Sequence, residues 1–437
     1  MQSSRRIHLN LSLHISGRRR EVDGRLEWDD RFTDLEEYLK IARAAQAARI
    51  DAVFLADHPV LYRNVTEPPK HTLDPLIILS MILAAVPDIG GIYTASTTLN
   101  HPYNLARRLQ SLNWLSKGRV GWNVVATWNP DVAENYGNQP LGDHASRYSQ
   151  ADEATDVVRR LWQSWDQGGE GDHTLRGQPI DHDGEYFSIK GPLTVPNAPF
   201  GPPVICQAGA SSQGIALGGT HADIIYAVAH SKKGTLAYRQ ELLAAATKAG
   251  RSDPTIRILP GLRVITGSTS EEVARKAAAE DEATPVDGPR AERLAEQLSL
   301  NFGQFDPDAP LVIETLKPGG SLPQGFFRAL VDLVEEENLS FRQVLQRRAE
   351  NHRLVVGTPN EIADDIETWW RSGAVDGFTF NPHSVGEDLS LILEEVVPIL
   401  QSRGLYPREY EDATLRERYD LEGRPRTTVQ EKRLVDA

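Results

Sequence analysis

The chain has 437 residues, 40% hydrophobic and 25% charged, with a formal net charge of -14. That balance fits a soluble globular protein, and the acidic surface disfavours nucleic acid and anionic membranes as partners. Its single cysteine, Cys206, cannot close an intramolecular disulfide, and no run approaches the roughly 20 apolar residues of a membrane-spanning helix.

The N-terminus carries arginines but no continuous apolar core, because polar residues interrupt Ile7 to Ile15. It is therefore not a secretory signal, and a cytoplasmic protein is expected. Ile7 to Ile15 itself alternates apolar and polar residues, the period of a strand. Asp34 to Ile50 has helical periodicity, and Asp51 to Asp57 is a short apolar strand ending in an acid. Leu73 to Val86 reads as a helix and Gly91 to Thr98 as a strand. His101 to Leu115 is helical, with Pro102 near its start and Gly118 just past its end.

A strand at Val120 to Val125 follows. Ser149 to Trp165 is then helical, with Ser149 and Asp152 at capping-box spacing. Strands recur at Pro203 to Gln207, Ala222 to Val228, Ile256 to Ile265 and Val375 to Asn381. Helices recur at Gly234 to Ala249, Ser270 to Ala283, Thr358 to Arg371 and Gly386 to Arg403. Thr358-Pro359-Asn360-Glu361 combines an N-cap, a first-position proline and the capping-box acid.

Alternating strands and helices form βαβ units on a parallel sheet. About eight such strands suit a closed (β/α)8 TIM barrel, typically about 250 residues, with the excess as insertions at its C-terminal face. The expected organisation is one domain over 1–437, a lid insertion at 284–353 and a charged tail from 405.

Ligands of such barrels sit at the C-terminal ends of the strands. Those ends carry His14, Asp57, Thr94 with Ser96 and Thr97, Asn123, Gln207, His230 and Asn381, while the strand bodies are apolar. Each alone also fits a turn residue or helix cap; together at one end they suggest a binding site. His14 lies on the polar face of the first strand with Asn10 and Ser12, where a satisfied neutral histidine competes with a substrate or cofactor role.

Gly118 to Asn129 is a glycine-punctuated turn running into an apolar strand crowded with amide and hydroxyl groups. Trp122 and Asn123 there suit a flat, polar-edged ligand. Gln207 to Gly214 ends a strand and opens a helix with small residues, a setting for a phosphate with Ser211 or Ser212. Tyr148, four residues after His144, stands at a helix start where its phenol could reach the same phosphate. No dinucleotide fingerprint, Walker loop, zinc-protease motif or cysteine pair is present. His182-Asp183-Gly184-Glu185 fits a solvated turn better than a metal site, and Cys206 fits buried packing better than a nucleophile.

Several ordered segments resemble the bacterial-luciferase-like flavin monooxygenases, in the branch of nitrilotriacetate monooxygenase component A and dibenzothiophene sulfone monooxygenase. They are Phe54-Leu55-Ala56-Asp57, Thr94-Ala95-Ser96-Thr97-Thr98, Pro102 to Arg108, and Gly121-Trp122-Asn123-Val124-Val125. Further on they are His144 to Tyr148, Ala151-Asp152-Glu153, Tyr186-Phe187, Gln207-Ala208-Gly209, Val356 to Pro359, and Asp376-Gly377-Phe378. The resemblance implies a (β/α)8 barrel binding reduced FMN (FMNH2) delivered by a separate NAD(P)H:flavin reductase. O2 would add to the flavin as a C4a-peroxy species and oxygenate a small organic substrate.

The flavin contacts it implies are Asp57 and Thr94 near the ring, Asn123 close by, His144, and Tyr148 and Ser211 near the phosphate. His14 is the catalytic candidate on the substrate side. The chain departs from the branch in a shorter loop at His58 to His71, and in Ser212 where an acid is common after the Ala210-Ser211 pair. A homodimer or homotetramer is expected, with no nucleic-acid or membrane partner. Two other readings keep the fold: hydride transfer with deazaflavin F420, and a barrel that only stores or senses flavin.

Overall fold

The structure, a computed structural model, describes residues 6–13, 19–22, 25–28, 31–61, 73–137, 141–167, 175–252, 255–282, 284–319, 322–347, 351–382 and 386–421. Its centre is a ten-stranded parallel sheet. In chain order the strands are β1 (His8–Ser12), β2 (Ala52–Leu55), β3 (Gly90–Ser96), β4 (Val120–Val125) and β5 (Val204–Gln207). They continue as β6 (Ile224–Ile225), β7 (Arg257–Ile258), β8 (Gly261–Thr266), β9 (Arg353–Gly357) and β10 (Gly377–Pro382). Their order in space is β7-β6-β5-β4-β3-β2-β1-β10-β8-β9.

The segment 256–265, expected as one strand, is interrupted at Leu259-Pro260, because proline has no N–H to give a ladder. Its first part, β7, pairs with β6, and its second, β8, pairs with β10. The Asp376 and Thr379 N–H groups donate to Ile258 O and Pro260 O at 2.9 Å each. One short segment therefore joins the two flanks, and the sheet curls. Asp376 reinforces the seam: its carboxylate accepts the Ile258 N–H at 2.9 Å and pairs with Arg239 at 2.6 Å.

Strand alternation sorts side chains onto two faces. The outer face and the surrounding helices share one core that includes Leu9, Leu11, Val53, Leu55, Leu262 and Val264. The inner face is lined by Ala52, Phe54, Ile92, Val204, Cys206 and Ile224. Trp122, expected to grip a ligand, belongs to the outer core. It is fully buried, crosses Trp162 edge-on at 6.2 Å and donates its indole N–H to Ala95 O. A buried tryptophan needs that acceptor, and its large apolar area holds the helix against the sheet.

Local signals set the helices. Asp74 caps the helix Pro75–Ala85 by accepting the Leu76 and Ile77 N–H groups. The helix expected from Ser149 begins earlier, at His144, because Asp143 caps it through the Ser146 N–H. At Thr358 the expected capping box forms, with Glu361 accepting the Thr358 N–H at 2.8 Å. The helix expected over Gly386 to Arg403 carries a π turn at Ile392–Val396, just before Pro398, whose ring cannot continue the regular ladder.

Segment 284–347 contains the helices Pro289–Gln297, Gln324–Glu337 and Phe341–Arg347. They pack around their own core, including Leu294, Leu298, Leu330 and Phe341. Arg353, expected at the end of this segment, instead opens β9 beside β8. Residues 405–421 cross the N-terminal ends of the strands. Tyr406 and Tyr410 donate to Arg49 O and Ile50 O, and Tyr419 inserts into the inner face and donates to Asn10 at 2.6 Å. No helix among the described residues is long and apolar enough to cross a membrane.

Candidate flavin site

The polar residues at the C-terminal strand ends fall into an ordered arc from β2 to β5. Asp57 follows β2 and is half-buried. Burial first, and then the nearby Asp74 charge, push its carboxyl up to about 6, against the His58 N–H that favours the charged form. Thr94 and Asn123 are register partners on β3 and β4, both buried, and Asn123 donates its amide to Thr94 Oγ1 at 3.0 Å. The Asn123 carbonyl oxygen is shut off from solvent with no hydrogen-bond partner. An unmet acceptor inside a protein costs about 1–3 kcal/mol.

At β5 the chain turns into the helix Ser212–His221. Ser211 is its N-cap and accepts the Gly214 N–H at 3.1 Å. Ser212 points into solvent and bonds Gln213, so Ser211 is the serine inside the turn. A Cβ on Gly209 would come within 2.8 Å of the Tyr148 hydroxyl and 2.5 Å of the Gln207 amide nitrogen. Only glycine permits that approach. Tyr238 fixes the turn from the other side, donating to Gly209 O at 2.9 Å. His144 stacks obliquely against Tyr148 at 4.8 Å. Helix N–H groups, a serine hydroxyl and a phenol thus converge on one small cradle, the chemistry an anionic phosphate needs.

Asp57, Thr94, Asn123, His144, Tyr148 and Ser211 therefore stand on strand ends, a loop and helix starts of the segments β2 to β5 and their helices. His14 lies outside the described residues. Other polar residues of the same end have structural duties. Ser96 shares a 2.6 Å hydrogen bond with Thr127 and accepts the Thr98 N–H, while Thr97 bonds Val125 O. Glu153 accepts from His182 and from the Tyr186 and Phe187 N–H groups, so His182 to Glu185 forms a tethered turn. Among the described residues no group of three metal-ligating side chains occurs. Cys206 is buried on the inner face, where burial pushes its thiol up to about 12, a packing cysteine.

The sequence reading placed less weight on the strand ends beyond β5. Tyr226 packs against Phe54 at 4.7 Å and His352 at 4.8 Å, and its hydroxyl accepts the Asn381 amide at 3.0 Å. His352 was not legible, because it reaches the sheet from the far end of the 284–347 insertion. The one local signal is Gly261, where a Cβ would collide with the His352 ring at 2.4 Å.

A curled parallel sheet with this polar cradle at its strand ends defines a class, and comparison with known proteins gives the family. The luciferase-like monooxygenase profile matches residues 20–377. The chain belongs to that family and is a flavin-dependent monooxygenase. It is 34% identical over 422 residues to nitrilotriacetate monooxygenase component A of Aminobacter aminovorans, covering 91% of this chain and 92% of that protein. Its fold matches EDTA monooxygenase from Chelativorans sp. BNC1 at a TM-score of 0.82 and 40% identity, over 96% and 99% of the two chains. It also matches a riboflavin lyase structure holding modified FMN and riboflavin, at a TM-score of 0.75 and 28% identity over 95% of each chain.

Proposed function

We propose that this chain is the oxygenase component of a two-component system, taking FMNH2 from a separate NAD(P)H:flavin reductase and using O2 to oxygenate a small organic substrate. The observation that carries this reading is the arc from Asp57 to Ser211, with the partnerless buried Asn123 oxygen beside the Gly209 cradle. These residues fit FMN. The cradle, Ser211 and Tyr148 take the phosphate, with His144 beside them. Asn123 accepts a hydrogen bond from the flavin near the ring, with Thr94 and Asp57 along the same edge. Reduced flavin, when bound, supplies the electrons that activate dioxygen. His14 is assigned to the substrate side.

The protein's own task is to orient the ring and exclude water. We read 284–353 as a lid, the sheet as a closed (β/α)8 barrel with insertions at its C-terminal face, and the whole of 1–437 as one domain. A homodimer or homotetramer is supported by the helix Pro75–Ala85. It leaves Ile77 and Met81 exposed, large apolar side chains that a neighbouring copy would cover. A reducing cytoplasm fits the free thiol of Cys206.

The test combines protein, FMN, NADH and a flavin reductase with candidate substrates under isotopically labelled dioxygen. Label in an organic product is the expected result. Turnover with deazaflavin in the absence of oxygen, or tight binding of oxidised FMN with no oxygenated product, would overturn it. Tyr148→Phe with Ser211→Ala should weaken binding of reduced FMN about tenfold or more; unchanged affinity would remove the phosphate assignment.

A further inference from the structure

The flavin arc leaves unused the two carboxylates of the Ala151-Asp152-Glu153 segment and the adjacent arginines Arg159 and Arg160, all on the helix His144–Trp162. Two turns of helix bring a side chain back to the same face, so Asp152 shares a face with Arg159, and Glu153 with Arg160. Each pair holds a histidine from another segment. His221 lies between Asp152 at 2.8 Å and Arg159 at 3.1 Å, and His182 between Glu153 at 2.9 Å and Arg160 at 3.1 Å.

An arginine can only donate, so Nδ1 of each ring is the bare, accepting nitrogen. The ring proton is then on Nε2, where it is donated to the carboxylate. Each imidazole is held at both nitrogens in a single tautomer.

The two rings tie the helix to different segments. His182 ties it to the turn whose Tyr186 and Phe187 N–H groups also bond Glu153. His221 is buried and is the last residue of the helix Ser212–His221, which opens at the cradle with Ser211 as its N-cap. Tyr148, the cradle's phenol, stands one turn before Asp152 on the same face of its own helix. The two helices therefore meet at two places. At one, Tyr148 reaches the Gly209 turn; at the other, Asp152 and Arg159 grip His221. A helix of 10 residues is about 15 Å long, so fixing its far end restricts how far its first turn can tilt away from Tyr148.

We propose that His221, held by Asp152 and Arg159, is a positioning residue for flavin binding: it fixes the spacing of Tyr148 and Ser211 so that both reach one phosphate. It acts through those two residues and touches no flavin atom. This inference rests on the flavin-monooxygenase reading, because it requires the cradle to take the FMN phosphate. His182 has the same chemistry on the same helix but joins a different segment, which makes it the internal control.

The test is anaerobic titration of the full chain with reduced FMN and, separately, with reduced riboflavin, which lacks the phosphate. The native chain should prefer FMN about tenfold or more. His221→Leu, which removes both ring nitrogens, should weaken FMN about fivefold and leave riboflavin within about twofold. The effect is modest because the Asp152 side chain is 57% exposed and its charge is screened. His221→Gln, which keeps a donor and an acceptor, should restore most of the FMN affinity. Asp152→Ala, at an exposed position, should show the same selective loss on a smaller scale, and it carries the test if His221→Leu does not fold. His182→Leu should leave the preference for FMN over riboflavin as it is. Unchanged FMN affinity in Asp152→Ala and in a folded His221→Leu, equal weakening of FMN and riboflavin, no recovery in His221→Gln, or the same selective loss in His182→Leu would each overturn the proposal. In those cases a native preference for FMN leaves the cradle standing and only the role of His221 fails. A native chain that does not prefer FMN to riboflavin removes the phosphate cradle first, and the role of His221 with it.

Discussion

At the N-terminal ends of the strands, buried polar groups are matched to partners. Asp51 is buried there, yet its carboxylate accepts the Leu9 N–H at 2.8 Å, and its backbone oxygen accepts from Arg418. Arg6 pairs with Asp412 at 2.9 Å and also donates to Arg418 O, while its buried Nε has no hydrogen-bond partner. Arg119 donates to Ser116 O, Val86 O, Ile89 O and Leu83 O. At the C-terminal ends the oxygens of Ser12, Asn123 and Gln207 are buried and unmatched. Buried polarity with its partners in place specifies and stabilises a fold. The same polarity left open is a standing cost that a ligand can offset.

The largest effect expected from that contrast is at Tyr419, which is fully buried and donates to Asn10. Tyr419→Ala should lower unfolding free energy by about 3–5 kcal/mol, read from urea unfolding midpoints, with FMN affinity unchanged. Tyr419→Phe keeps the packing and should cost about 1–2 kcal/mol. A Tyr419→Ala protein that unfolds normally but loses flavin would show that the two ends are not separable.

The converse holds at Asn123. Asn123→Leu removes the unmatched oxygen at similar volume. Stability should stay within about 1 kcal/mol or rise, while affinity for reduced FMN falls about tenfold. Unfolding and flavin titration on the same sample decide it. Loss of stability with flavin binding intact would make Asn123 a scaffold residue.

Strand identity was legible in the sequence because alternation and turn residues are local properties. Ala222 to Val228 was correctly placed, although only Ile224–Ile225 makes a ladder. Asp57, Thr94 and Asn123 were legible as polar interruptions at apolar strand ends. Trp122 misled because one residue of register decides which face a side chain takes, and it faces the helices while Asn123 faces inward. β9 was hidden because Arg353 to Gly357 pairs only with β8 after a long insertion. His352 was hidden for the same reason: its partners Tyr226 and Phe326 come from distant parts of the chain, and no local pattern encodes that meeting.

Asp57 gives a smaller effect with a defined sign. Its folded carboxyl titrates near 6, above the 3.8 of an unburied aspartate. The folded state therefore holds the proton more tightly, so the ionised form costs stability at neutral pH. That cost is full above about pH 6 and is relieved as pH falls toward 4. Asp57→Asn stays neutral throughout. It should be more stable than the native chain by about 1 kcal/mol at pH 7, the figure being reduced for partial exposure, with the gap closing toward pH 4. Affinity for reduced FMN should fall in the same variant. A stability gap independent of pH would assign the gain to something other than the charge.

The smallest effect concerns the insertion. Arg328, on the helix Gln324–Glu337, makes a two-pronged pair with Glu241 on the helix Lys232–Lys248, at 2.9 and 2.5 Å. The pair holds both partners in their charged forms, raising Arg328 and lowering Glu241. Side-chain exposures of 36% and 44% put it in the screened regime, so Arg328→Ala should cost only about 0.5 kcal/mol of global stability. Local opening is more sensitive, because this pair and the contact of Gly325 with Ala210 tie the insertion's helix to the strand-end side of the sheet. Chymotrypsin is the suitable probe, since the substitution removes a trypsin site. Nicking within 284–347 should accelerate in Arg328→Ala while the urea midpoint holds, and added salt should narrow the difference. Equal nicking rates would leave the apolar Gly325–Ala210 contact as the tie, and a lid anchored that way would open with temperature rather than with ionic strength.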